Sequence, residues 1–190
     1  MRKPNQIIID RALLLYLLQL VEPNGLLGDV KLQQVAFLCE LQMFGKGLKG
    51  LHFEFFRYAY GAFSKDLDND LMSLRRKERI ENFTVTEHAE LAINILLEGA
   101  EQHGQETEAN GQVLEVLRQV VGAYGPQDTD KITASVEAVE ISTPAEPEFK
   151  IAIRDVSFHT ILLVPGRIET KTEFTLPPGV LARLNTALGY

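Results

Sequence analysis

The chain has 190 residues, 45 % of them apolar and 24 % charged, and a formal net charge of −7. These proportions are those of a globular domain and exclude whole-chain disorder, and the length buries roughly 70 % of the unfolded surface without staples. The acidic balance disfavours a protein whose main work is gripping phosphates.

No apolar run reaches the ~20 residues that a bilayer span requires, so no membrane role is expected. The single cysteine, Cys39, has no partner in the chain and sits at helical spacing among apolar residues. It reads as a buried free thiol in a reducing cytoplasm. Met1-Arg2-Lys3 leads into an apolar stretch interrupted by Asp10 and Arg11, with no small-residue cleavage site after it. That predicts a folded helix, not a signal peptide.

Apolar residues at 13, 14, 17, 18, 20 and 21 predict a helix over residues 10–22, with Asp10 as N-cap and Pro23-Asn24-Gly25 as its stop. A second helix, 30–44, follows Asp29 as N-cap and is apolar around most of its circumference, as a central buried helix would be. Phe53, Phe55, Phe56, Tyr58 and Tyr60 suit an extended segment. Tyr60-Gly61 then turns the chain into a helix capped by Ser64, with Asp66 in its first turn and Leu67, Leu71 and Leu74 on one face. The cluster Arg75, Arg76, Lys77 and Arg79 reads as a solvated helix end.

Weak alternation at 82–86 predicts a short strand, and Thr86 caps a helix over 87–97. The polar run 98–112 reads as an exposed loop. Helices are predicted over 113–124 and 129–139, then a linker over 140–148 with two prolines. The remainder, 149–190, reads as a β-β-α extension packing on the main domain or a second subunit. Its two strands flank Pro165-Gly166 as a hairpin, and Pro177-Pro178 opens its helix. The fold class is therefore mainly α (α+β): a winged-helix-like helical domain, 1–139, with a small C-terminal extension.

Catalytic signals are missing. The histidines at 52, 88, 103 and 159 have no partners at metal or triad spacing. His52 and His159 read as satisfied structural residues, and His88 and His103 as exposed ones. Glycines 45, 47 and 50 follow a helix instead of joining a strand to one, so they cradle no phosphate. No enzyme activity, metal or cofactor is expected.

Two blocks carry a resemblance: Lys31, Leu32, Gln33 and Phe37, then Tyr60, Gly61, Phe63, Ser64, Leu67 and Leu71. They resemble the Panacea domain family, the SocA-like group of bacterial and phage-associated proteins. Its members read K-L-Q-K-L-x-Y, then Y-G-P-[aromatic or Val]-S, then a leucine-and-acid helix. The likeness extends over roughly residues 5–139 and stops at the tail. The chain departs from the pattern at two positions, with Gln34 where the family has lysine and Ala62 where it has proline.

The resemblance implies an antitoxin or adaptor that neutralises a toxic partner protein by binding it, some members passing that partner to a protease. An acidic chain suits a basic toxin. Lys31, Gln34, Tyr60, Gly61, Phe63, Asp66 and Asp70 are the candidate partner-binding residues. Asp70→Lys is expected to weaken partner binding with little effect on stability. Two other readings remain open: a winged-helix DNA-binding transcriptional regulator, and a structural homodimer using the 149–190 tail.

Overall fold

The computed structural model describes residues 2–25, 28–102, 104–143 and 145–190. Among them the fold is mainly α with a few short strands, seven α-helices in all. Helix α1 spans Pro4–Val21 and α2 Asp29–Gly45, and these two are the centre of the molecule. Every residue from 12 to 18 of α1 is buried, as are Lys31 through Glu40 of α2. Burial of each leucine on these helices contributes about 2 kcal/mol.

Around the central pair pack α4 (Glu87–Glu101), α5 (Gly104–Tyr124), α6 (Thr129–Glu137) and α7 (Pro178–Ala187). Helix α3, Lys65–Arg76, is amphipathic as expected: Ser64 Oγ accepts from Leu67 N, and Leu67, Leu71 and Leu74 are buried. Behind it Ile80–Glu81 (β4) and Thr84–Val85 (β5) form a two-stranded hairpin where a wing was expected.

Several boundaries depart from expectation. Helix α1 begins at Pro4, whose fixed φ suits the first turn. Asp10 is thus not a cap; it is fully buried inside the helix. The polar run 98–112 is not a loop, since α4 continues to Glu101 and α5 starts at Gly104. Gly99, Ala100, Ala109 and Asn110 within it are buried, and Asn110 pairs both ways with the backbone of Thr175.

The stretch expected as a linker holds β6 (Glu140–Thr143) and the start of β7 (Glu146–Ala152), an antiparallel ribbon. Pro147 is tolerated there because a two-stranded ribbon is all edge. The tail does not fold back on itself as a hairpin. Its strand β8, Ile161–Leu163, pairs antiparallel with β2, Phe55–Tyr58. Its strand β9, Thr172–Glu173, pairs parallel with β1, Leu48–Lys49. Strand β3, Gly61–Phe63, completes a three-stranded sheet in the order β3-β2-β8. The 149–190 segment therefore adds strands to sheets begun by the main domain, while α7 covers α1 and α4. No described helix is long and apolar enough to cross a membrane.

Candidate functional site

The Lys-Leu-Gln-Gln run of α2 is a brace for β3. The Gln34 side chain donates from Nε2 to Ala62 O at 3.0 Å and accepts from Ala62 N at 3.0 Å through Oε1. Gln33 does the same one step along, with Ser64 O at 3.1 Å and Ser64 N at 2.8 Å. Two carboxamides thus stand in for a neighbouring strand and satisfy the outer edge of β3, which otherwise would leave buried amides unpaired. Leu32 lies between the core and this brace, fully buried.

Gly61 is required at the turn. Its φ is +90°, and a Cβ built there would stand 2.4 Å from Gln34 Oε1. Gly61→Ala is expected to cost about 2–3 kcal/mol, from left-handed backbone strain and displacement of the Gln34 amide. A denaturant midpoint lowered with unchanged slope would report it.

Above this frame lies a cavity of about 160 Å³. Tyr58, Tyr60 and Phe63 line it on one side; Val30, Gln33 and Gln34 of α2 form the other, with Asp29 at the helix start. Tyr60 is 64 % exposed and Tyr58 46 %, large apolar area left open to solvent. The Tyr58 and Phe63 rings are 5.3 Å apart, and His159 packs edge-on to Tyr58 at 5.9 Å. His159 is not the strand residue expected: it is exposed in the turn before β8, at φ +65°. Phe158, beside it, is exposed and stacks over the Arg57 guanidinium at 5.3 Å. Two wider clefts, of about 530 and 830 Å³, lie elsewhere, and neither touches these blocks.

Of the seven candidates, then, Gln34, Tyr60 and Phe63 converge on one cavity, and Gly61 holds its edge. The other three do not belong to it. Lys31 is buried, with Nζ donating to Gly125 O at 2.7 Å, so it ties α2 to the end of α5. Asp70 is 1 % exposed: Oδ2 accepts from Arg2 at 2.6 Å and Oδ1 from Arg11 at 2.8 Å. Asp66 remains half-buried, 3.6 Å from the same Arg2. Asp70 therefore offers no surface to a partner, and the expectation for Asp70→Lys is overturned, because two buried guanidiniums depend on that carboxylate.

The ionic network extends further than local sequence could show. Arg2 also donates to Asp10 Oδ2 at 2.9 Å, while Asp10 Oδ1 pairs with His52 Nδ1 at 2.8 Å. His52 Nε2 reaches Glu173 Oε1 at 2.9 Å, and Gln6 donates to the same oxygen. Both ring nitrogens face carboxylates, so the imidazole is the doubly protonated cation. Burial opposes that charge, yet the hydrogen bonds to Asp10 and Glu173 raise His52 to about 9. The His52 hydrogen bond, foremost, brings Glu173 down to about 2. An imidazolium held at both nitrogens has no free lone pair to accept a proton. Its work here is to clamp β9 of the tail to α1.

The clamp makes stability depend on pH in both directions. The raised His52 contributes stability that is complete below its ordinary 6.5 and lost as pH rises toward 9. The depressed Glu173 contributes stability that is present above its ordinary 4.5 and lost as pH falls toward 2. The clamp is strongest between those ordinary values. Glu173→Gln is expected to lower Tm by roughly 2–4 °C at pH 5.5, about 1 kcal/mol allowing for the half-exposed carboxylate, and to flatten the acid limb of a Tm–pH profile.

Two further buried groups belong to the core. Glu40 Oε1 accepts from Phe53 N at 2.7 Å, while Oε2 has no partner among the described residues. Burial pushes this carboxyl well up. Burial likewise pushes the Cys39 thiol up, which makes it a poor nucleophile. Among the described residues, no group of three or more His, Cys, Asp or Glu side chains is placed to hold a metal ion. His88 is exposed; His103 lies outside the described residues. Compared with protein-family models, curated proteins and solved structures, the chain finds no match in any of the three.

Proposed function

We propose that this chain is a non-catalytic protein-binding module, an antitoxin or adaptor that binds and neutralises a partner protein through the face containing Tyr58, Tyr60 and Phe63. The observation that carries the reading is convergence. Residues 34, 60 and 63, taken from two blocks separated in sequence, line one small apolar cavity beside exposed tyrosines. Exposed aromatic anchors on a rigid frame are what protein recognition uses. The frame is rigid because Gln33, Gln34 and Gly61 fix β3.

The departures from the resembled pattern also support kinship, because Gln34 and Ala62 are hydrogen-bonded to each other. A lysine facing a proline needs only a donor to the carbonyl. Alanine brings an extra N–H, and glutamine brings the acceptor for it. The partner is a basic protein, whose association with a chain of net charge −7 is accelerated by complementary charge. The cytoplasm, a reducing compartment, suits the unpaired Cys39.

The test is growth of a host carrying the adjoining gene under its own inducible promoter, with and without this chain. Arrest by the neighbour alone, relieved by the wild type and not by a Tyr60→Ala/Phe63→Ser variant, is the expected result. A harmless neighbour, or an arrest that the wild type fails to relieve, counts against it. DNA retained on the purified protein at low salt and released by moderate salt would instead favour a winged-helix regulator.

A further inference from the structure

Resting on the protein-binding reading, we propose that the cavity walled by Tyr58, Tyr60 and Phe63 receives a cationic side chain of the partner, Lys or Arg, with Asp29 as its counter-ion. Three aromatic rings line a space of about 160 Å³, large enough for an ammonium or guanidinium head with part of its stem. Aromatic faces carry negative potential and attract such cations.

The polar atoms around the cavity point the same way. The carboxamides of Gln33 and Gln34 are already engaged with Ser64 and Ala62, and no cationic side chain among the described residues lines the cavity to attract an anion. The Asp29 side chain is 69 % exposed, and its ion pair with Arg75 is a long 3.8 Å approach. Arg75 itself is held elsewhere, donating to Asn82 O and stacking 5.0 Å from the Phe83 ring. Asp29 also offsets the positive pole of its own helix, which would otherwise repel a cation. An apolar side chain would satisfy the rings alone, whereas the exposed carboxylate at the rim, shared with Arg75 only at 3.8 Å, adds attraction for a charged one. A cation satisfies both.

The experiment is an NMR titration of the ¹⁵N-labelled full chain with two acetylated, amidated pentapeptides, Gly-Gly-Arg-Gly-Gly and its norleucine counterpart. The arginine peptide is expected to shift the amides of residues 58–63 and to bind about tenfold more tightly than the norleucine peptide. Asp29→Asn should lose about threefold and Tyr60→Ala about tenfold, with Tm unchanged in Tyr60→Ala and lowered by no more than about 3 °C in Asp29→Asn. Equal shifts from the two peptides would overturn the proposal in favour of an apolar anchor, and no shift from either would overturn it outright. Because the titration uses no partner protein, its failure is distinguishable from failure of the protein-binding reading, which growth relief tests separately.

Discussion

Asp70→Lys is expected to abolish cooperative folding at 37 °C. Asp70 joins Arg2 at 2.6 Å and Arg11 at 2.8 Å, almost wholly out of solvent. Removing one partner of a buried ionic cluster costs about 3–5 kcal/mol, and a lysine adds a third buried cation to the two left behind. That total is comparable with the whole stability of a domain of this size. Asp70→Asn, which keeps the shape and one of the two contacts as a neutral hydrogen bond, should fold with Tm lowered by roughly 5–15 °C. Circular dichroism melts of the two variants check it. A lysine variant that melts within a few degrees of wild type would show the cluster to be dispensable.

Gln34 and Ala62 should behave as a coupled pair. Gln34→Lys leaves the buried Ala62 N–H without an acceptor, at a cost of about 2–3 kcal/mol. Ala62→Pro removes that N–H and strands Gln34 Oε1, costing about 1–3 kcal/mol. In the double variant neither group is stranded, since proline has no donor and lysine still reaches the Ala62 carbonyl position. The double-mutant cycle should therefore show a favourable coupling of about 1–2 kcal/mol from denaturant melts. Strict additivity would mean that the two departures are independent and would remove one support for kinship with the Panacea pattern.

What the sequence made legible was set by local rules. The Ser64 cap, the Leu67-Leu71-Leu74 face and the all-round apolar α2 follow from nearest neighbours along a helix. So did the turn at Gly61. The polar run 98–112 was misread because its composition outweighed its spacing; Asn110 is polar yet buried, satisfied by a backbone 65 residues away. Asp10 resembled a cap for the same reason. Its counter-charges, Arg2 and His52, reach it only through the fold, one of them 42 residues distant.

The candidate site divides along the same line. Tyr60 and Phe63, read from the second resembled block, lie at the cavity, while Lys31 and Asp70 are polar positions in or beside the same blocks. Both are buried here with specific partners that no local pattern announces. The pairing of β1 with β9 and β2 with β8 spans more than a hundred residues, beyond any periodicity argument.

Partner binding at the Tyr58-Tyr60-Phe63 face is measured most directly by calorimetric titration. The purified adjoining-gene product is titrated into wild-type protein and into Tyr60→Ala, with Tm recorded for both. Tyr60 is so exposed that its loss should leave Tm unchanged, while a central aromatic anchor contributes at least about 2 kcal/mol to binding. The expected result is affinity weakened about thirtyfold or more with the melt unaltered. Equal affinity in the two proteins would contradict it and move the binding surface elsewhere on the molecule.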